Sequence, residues 1–172
     1  MPTAAGAAPS APPLSSPNHP RSSACREWIA ALIWLALIAL ESTDLFSSRN
    51  TGAILYHLVT ALFGQVDPEQ FAIIHAALRK LGHMLGYGVL SFLLFRAWRA
   101  TLRPSARNWD FLWAAVAFLM TVTVAALDEW HQTFIASRTG TLRDVFLDSA
   151  AALGIQFLIF AFFLEPRISS PS

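Results

Sequence analysis

Apolar residues come in long blocks along this chain, and the polar residues gather where those blocks meet. Trp28 to Leu40 is apolar throughout and follows Arg21 and Arg26. Its length matches the apolar stretch of a secretory signal, but the exit Leu40-Glu41-Ser42-Thr43-Asp44 offers no small-x-small cleavage site. The run therefore reads as a retained first membrane helix, about Glu27 to Phe46, with a polar far end. Asn50 to Gly64 places Ile54, Leu55, Leu58, Val59, Leu62 and Phe63 at helical spacing. It is too short to span and is expected to lie in the interface plane or to re-enter.

Asp67-Pro68-Glu69-Gln70 is a helix start, with Asp67 as cap, Pro68 at the first helical position and Gln70 placed for a capping box. The helix runs to about Arg99, and its spanning part is Leu81 to Trp98. Gly82, Gly86 and Gly88 lie within that part and predict close approach of a neighbouring helix. A third span covers Trp109 to Leu127, with Trp109 and Trp113 as interfacial anchors. A fourth begins at Thr141, whose T-x-x-D relation to Asp144 is that of a capping box. Ala150, Ala151, Ala152 and Gly154 give this helix a small-residue face, and Pro166 is expected to end it.

These elements predict an all-α integral membrane bundle of four transmembrane helices with an additional interfacial or re-entrant helix, over residues 25–165. A Pro/Ala/Ser-rich disordered tail (1–24) precedes it, with too little apolar surface to offset its ordering entropy. A short C-terminal tail (166–172) follows. Composition agrees: 55% of residues are hydrophobic, 13% charged, and mean hydropathy is +0.48, whereas soluble domains carry about 25% charge. A net charge of +1 and the absence of a basic, aromatic-interleaved patch exclude a nucleic-acid partner. Cys25 is alone, so no internal disulfide can form, and the polar stretch before it rules out a lipoprotein signal.

Four spans put both termini and the middle loop on one side, with Arg21, Arg26, Arg96, Arg99, Arg103, Arg107 and Arg167. The other side carries Arg49, Arg79, Lys80, Arg138 and Arg143. The excess, densest in the short loop from Arg96 to Arg107, predicts cytoplasmic termini. The polar connection Asp128 to Asp144 then faces outward.

Three stripes of ionisable groups are expected at that outer level. Lys80, His83 and Tyr87 follow i, i+3, i+7 on the second span. Asp128, His131 and Gln132 follow i, i+3, i+4 at the end of the third. Asp144 and Asp148 follow i, i+4 at the start of the fourth. Glu129 lies ~100° from Asp128 around the helix, so the two acids do not face one point; both are candidates for the site, and one of them is expected to pair elsewhere. The bland reading of these acids is structural pairing of Asp144 or Asp148 with Arg138 or Lys80. Asp148 is the most informative of them, lying inside the span where an unpaired charge is costliest. Tyr56, His57 and His75 read as interfacial groups.

The strings Lys80-x-x-His83-x-x-x-Tyr87, Asp128-Glu129-x-His131-Gln132, Arg138-x-Gly140 and Asp144 with a polar residue four later resemble those of the VanZ-like family of membrane proteins. The likeness runs from Trp28 to Leu164, and the family usually shows Asn where this chain has Asp148. It implies a multi-pass protein of the bacterial inner membrane, whose namesake confers low-level resistance to the glycopeptide teicoplanin. Three functions follow as expectations. In the first, Lys80, Arg138 and Arg143 hold an anionic group while Tyr87, Gln132 and His83 add neutral hydrogen bonds. The ligand would be a lipid-linked cell-wall precursor, a phospholipid head group or a glycopeptide. The second is a membrane enzyme on the same class of molecule, with His83 or His131 as base, Asp128 orienting it and Arg138 stabilising charge. A metal version would use His83, His131 and Asp128 or Asp144. No HExxH, paired His or second Cys supports it, so neither metal nor cofactor is expected. The third is a proton-coupled transporter relaying through Asp148, Asp144 and His83, for which a homodimer would supply eight spans. Membrane lipids are expected partners in every case.

Overall fold

The computed structural model describes residues 20–43, 48–102, 109–135 and 140–168. Over these residues the chain forms five helices and no strand: α1 (Pro20–Glu41), α2 (Ser48–Phe63), α3 (Pro68–Leu102), α4 (Phe111–Gln132) and α5 (Leu142–Ile168). Most of the expected N-terminal tail, the cluster from Arg103 to Arg107 and Arg138 lie outside the described residues.

Local chemistry explains most of the boundaries. Pro20 sits where its missing N–H costs nothing, so α1 begins ahead of the expected Glu27. It ends at Glu41 rather than Phe46, with the Ser42 and Thr43 amides bonded back to Ile38 and Leu40. Gly64, at φ 86°, closes α2 in the left-handed region that favours glycine. Asp67 Oδ1 accepts from the Glu69 amide at 3.0 Å and starts α3. Asp110 does the same for α4, accepting from the Leu112 amide at 2.8 Å. The Thr141–Asp144 pair forms in both directions, hydroxyl to carboxylate at 2.9 Å and Asp144 amide to hydroxyl at 3.2 Å. Helix α5 runs through Pro166 to Ile168, so that proline does not end it.

Three helices are long and apolar enough to cross a membrane, over Ser23–Glu41, Phe111–Gln132 and Leu142–Leu164. Each turns large apolar side chains outward, among them Leu32 and Ile33 on α1, Leu119 on α4 and Phe157 on α5. Outward apolar side chains are what a hydrocarbon solvent favours. Thr51–Phe63 is apolar but short, as its sequence predicts.

Helix α3 departs from this pattern because it is the central helix. It packs on α1, α4, α5 and α2, and its buried side, Tyr87, Leu90, Ser91, Leu94, Phe95 and Ala97, recurs every three or four residues. Ser91, one of the residues that lower its hydropathy, is spent against protein. Gln156 Nε2 donates to Ser91 Oγ at 2.8 Å across the α3–α5 interface, an interhelical bond typical of membrane bundles. Of the three glycines expected at a close helix approach, only Gly88 has one, since an added Cβ would meet Ile155 at 3.1 Å. Gly82 and Gly86 have open space beside them, as does Gly154 on the expected small-residue face of α5. In that face Ala152 alone is fully buried.

The helices α1, α3, α4 and α5 run alternately up and down. One end gathers the Arg96–Glu27 ion pair at 2.6 Å, the Trp28–Thr101 bond at 2.9 Å and the Trp28–Trp98 edge contact. The end of α1, the end of α4 and the start of α5 meet the first half of α3 at the opposite end, where the site lies.

Candidate functional site

The site begins with a hydrogen-bond network that ties the ends of α1 and α4 to the middle of α3. Tyr87 on α3 is 1% exposed, and its hydroxyl donates to Asp128 Oδ2 on α4 at 2.8 Å. Gln132, one turn after Asp128, donates to the same oxygen at 3.0 Å and to Ser42 Oγ beyond the end of α1 at 3.3 Å. Buried polar groups are tolerable when they satisfy one another in this way, and such a network rigidifies its surroundings. Trp34 of α1 adds a bond from its indole N–H to the Gly86 carbonyl at 2.8 Å.

Of the two neighbouring acids, Glu129 is the one that turns away from this network. It is buried, and its Oε2 accepts from the Thr141 amide at 2.7 Å. That bond folds the connection back onto the end of α4, with Gly140 so close that an added Cβ would collide with the Glu129 carbonyl. Thr141 then caps α5 with Asp144, and Asp144 Oδ1 takes an ion pair from Lys80 of α3 at 3.0 Å. Lys80 is thus engaged by protein, which weakens its expected part as a holder of ligand anions.

Asp148 is 2% exposed. Among the described residues no hydrogen bond or ion pair reaches it. Among the described residues Glu129, Asp144, Asp128 and Tyr87 lie in electrostatic range of it. The structural pairing foreseen with Lys80 belongs to Asp144 alone. His131 is exposed, while Gln132 and Glu129 beside it are buried. The core side of α4 runs through Ala125, Glu129 and Gln132, and His131 lies off it. Asp128 is held by Tyr87 and Gln132 rather than orienting a histidine. Among the described residues no three His, Cys, Asp or Glu are placed to hold a metal ion, so the set of His83, His131 and Asp128 or Asp144 is not assembled.

His83 stacks on Tyr87, rings 6.5 Å apart and 25° from parallel, and its other surroundings form a cavity. The volume is about 280 Å³, between the end of α1, α2 and the first half of α3. Glu41, Thr51, His75, Arg79, Gly82 and His83 line it, with Leu78 at one wall. His75 stacks nearly parallel on Phe71, and α2 approaches it through Gly52, where an added Cβ would stand 3.3 Å from the imidazole. Of these residues the sequence singles out His83 alone for the site, and it takes His75 for an interfacial group. The signal was present: His75, Arg79, Gly82 and His83 follow i, i+4, i+7, i+8 and share one face of α3. Glu41 and Ser42 carry no such pattern and join only because α1 ends where it does.

A family model described as VanZ/LLP1 matches residues 27–164. No curated protein and no solved structure matches the chain.

Proposed function

The chain belongs to the VanZ/LLP1 family, and from that premise we propose that it binds the polar head group of an envelope amphiphile at the network end of its bundle. The ligand class is a lipid-linked cell-wall precursor, a phospholipid or a glycopeptide, the last in keeping with a role in glycopeptide resistance. The observation that carries this reading is a cavity of about 280 Å³, to which Arg79, Glu41, His75 and His83 contribute polar groups, set beside a buried hydrogen-bond network in a bundle whose outer surface is apolar. Sites that bind small molecules are concave, with a few converging polar groups. Binding is favoured over acid–base chemistry because Asp128 is engaged by neutral donors and His131 stands apart.

The proposal includes four spans. Helix α3 has 35 residues, about 50 Å at ~1.5 Å per residue, and ample for a hydrocarbon core of ~30 Å. In its second half Arg96 pairs with Glu27 of α1 and Arg99 lies over Phe163 of α5, partnerships that make charges tolerable near a membrane interior. The second half of α3 crosses, and its first turns with α2 lie at the outer surface. Both termini face the cytoplasm of a bacterial inner membrane, and the cavity faces away from it. In a Cys25→Ser background, Leu142→Cys is expected to react with a membrane-impermeant maleimide in intact spheroplasts. Leu102→Cys is expected to react only after permeabilisation. Both side chains are exposed, so labelling of the two from one side would remove the four-span topology.

Binding itself is tested on the full chain purified in detergent and offered a total envelope lipid extract. Native mass spectrometry is expected to find lipid retained by the protein through delipidating washes. Retention no greater than that of an unrelated four-span protein would remove the proposed function.

A further inference from the structure

Four carboxyl groups meet at the network end, and three of them have donors to hold a negative charge. Asp128 accepts from Tyr87 and Gln132. Asp144 pairs with Lys80 and accepts from the Thr141 hydroxyl. Glu129 accepts from the Thr141 amide and takes part in a further interaction within the chain. Bonds of this kind are what a buried carboxylate needs.

Asp148 is the fourth and the most enclosed. It stands one turn beyond Asp144 along α5, and among the described residues no donor reaches it. What does surround it is acidic or neutral. From α3 Tyr87 is in range, from α4 Asp128 and Glu129, and from its own helix Asp144. Lys80 and His83 of α3 are in range of Asp144. A charge on Asp148 would therefore add to three of the same sign with water excluded, the costliest setting for an ion in a membrane protein. A neutral carboxyl instead brings an O–H donor to a place rich in acceptor oxygens.

Space and access agree. A side chain 2% exposed admits a ligand no larger than a proton. Asp144, one turn nearer the helix start, is partly exposed. Deeper along the same face Gln156 bonds to Ser91, and the next buried residues of the two helices, Leu94, Phe95 and Ile159, are apolar. The polar groups leading to Asp148 thus come from the network end.

We infer that Asp148 is a proton-binding site: the folded chain keeps this carboxyl neutral, and its ionisation loosens the seam where α5 meets α3 and α4. The folded chain then binds the proton more tightly than the unfolded one, in which the acids stand apart, so stability falls as pH rises. Infrared spectra of the full chain in detergent at about pH 6, where ordinary carboxyl groups are ionised, are expected to show the C=O stretch of a neutral carboxylic acid. That band is expected to fade as the pH of the wild type is raised and to be absent from Asp148→Asn. Unfolding midpoints give a second reading. Asp148→Asn, uncharged throughout, is expected to gain on the wild type between about pH 5 and about pH 8. The gain is about 3–5 °C for each tenfold difference in proton affinity between folded and unfolded chain. Histidines titrate in the same range but are common to both chains. A wild type without the band, or an Asp148→Asn that keeps it, overturns the inference. So does an Asp148→Asn destabilised equally at both ends of the range, the result expected if Arg138 holds an ionised Asp148.

Discussion

Gly140→Ala is expected to destabilise the protein by about 2–3 kcal/mol, the upper range for overpacking a close contact. An added Cβ would run into the Glu129 carbonyl and stand 2.9 Å from Thr133 Cγ2. Thr133 could yield by rotating, but the carbonyl is fixed backbone at the end of α4. Relief would need the connection to lift, and lifting it stretches the bond from the Thr141 amide to Glu129 Oε2 at 2.7 Å. Thr141 also caps α5, so the damage extends to the start of that helix and to the Lys80–Asp144 pair. The measurement is the unfolding midpoint in mixed detergent, with Gly154→Ala as control. Gly154 has nothing within 4 Å of an added Cβ and is expected to match the wild type. Equal behaviour of the two variants would mean that the connection does not rest on α4 as described.

This dependence on one glycine shows where the sequence speaks and where it stops. Two helix starts were legible because caps are local: Asp67 and Thr141 act on amides two or three residues away. The polar residues at block boundaries were legible because lipid tolerates few charges. Partner choice was not, since it depends on the rotation of each helix about its axis. The rotation of α4 decides whether His131 or Glu129, on nearly opposite sides of the helix, faces inward, and the chain buries Glu129. The glycines of α3 show the same limit. Gly82 and Gly86 differ from Gly88 only in where α5 passes. The cavity needed a further fact, that α2 folds back on α3. Tyr56 secures this, bonding the Val66 carbonyl at 3.1 Å and packing edge-on against Phe71. Without that fold the stripe from His75 to His83 reads as a solvated face.

The second large effect is expected at Asp128. Its Oδ2 is the acceptor for Tyr87 and Gln132 together, and these donors are 1% and 4% exposed, too enclosed to turn to water. Asp128→Leu leaves both hydrogen-bonding groups poorly satisfied, at about 1–3 kcal/mol each. Asp128→Asn keeps one acceptor oxygen and is expected to lose less. Tyr87→Phe removes one of the two donors, so the double variant Tyr87→Phe with Asp128→Leu is expected to be more stable than the sum of the single losses predicts. A coupling of about 1–2 kcal/mol is the expected size for contacting residues in one network. Interhelical hydrogen bonds in membranes average nearer ~0.6 kcal/mol, because partly unfolded helices find other partners. A coupling near that lower figure would still place Tyr87 and Asp128 in contact, whereas strict additivity would separate them. Since Tyr87 also carries the stacked His83 at the cavity wall, a coupled network would fix that wall's shape through α4. The same two variants are then expected to loosen head-group retention as well, although neither residue lines the cavity.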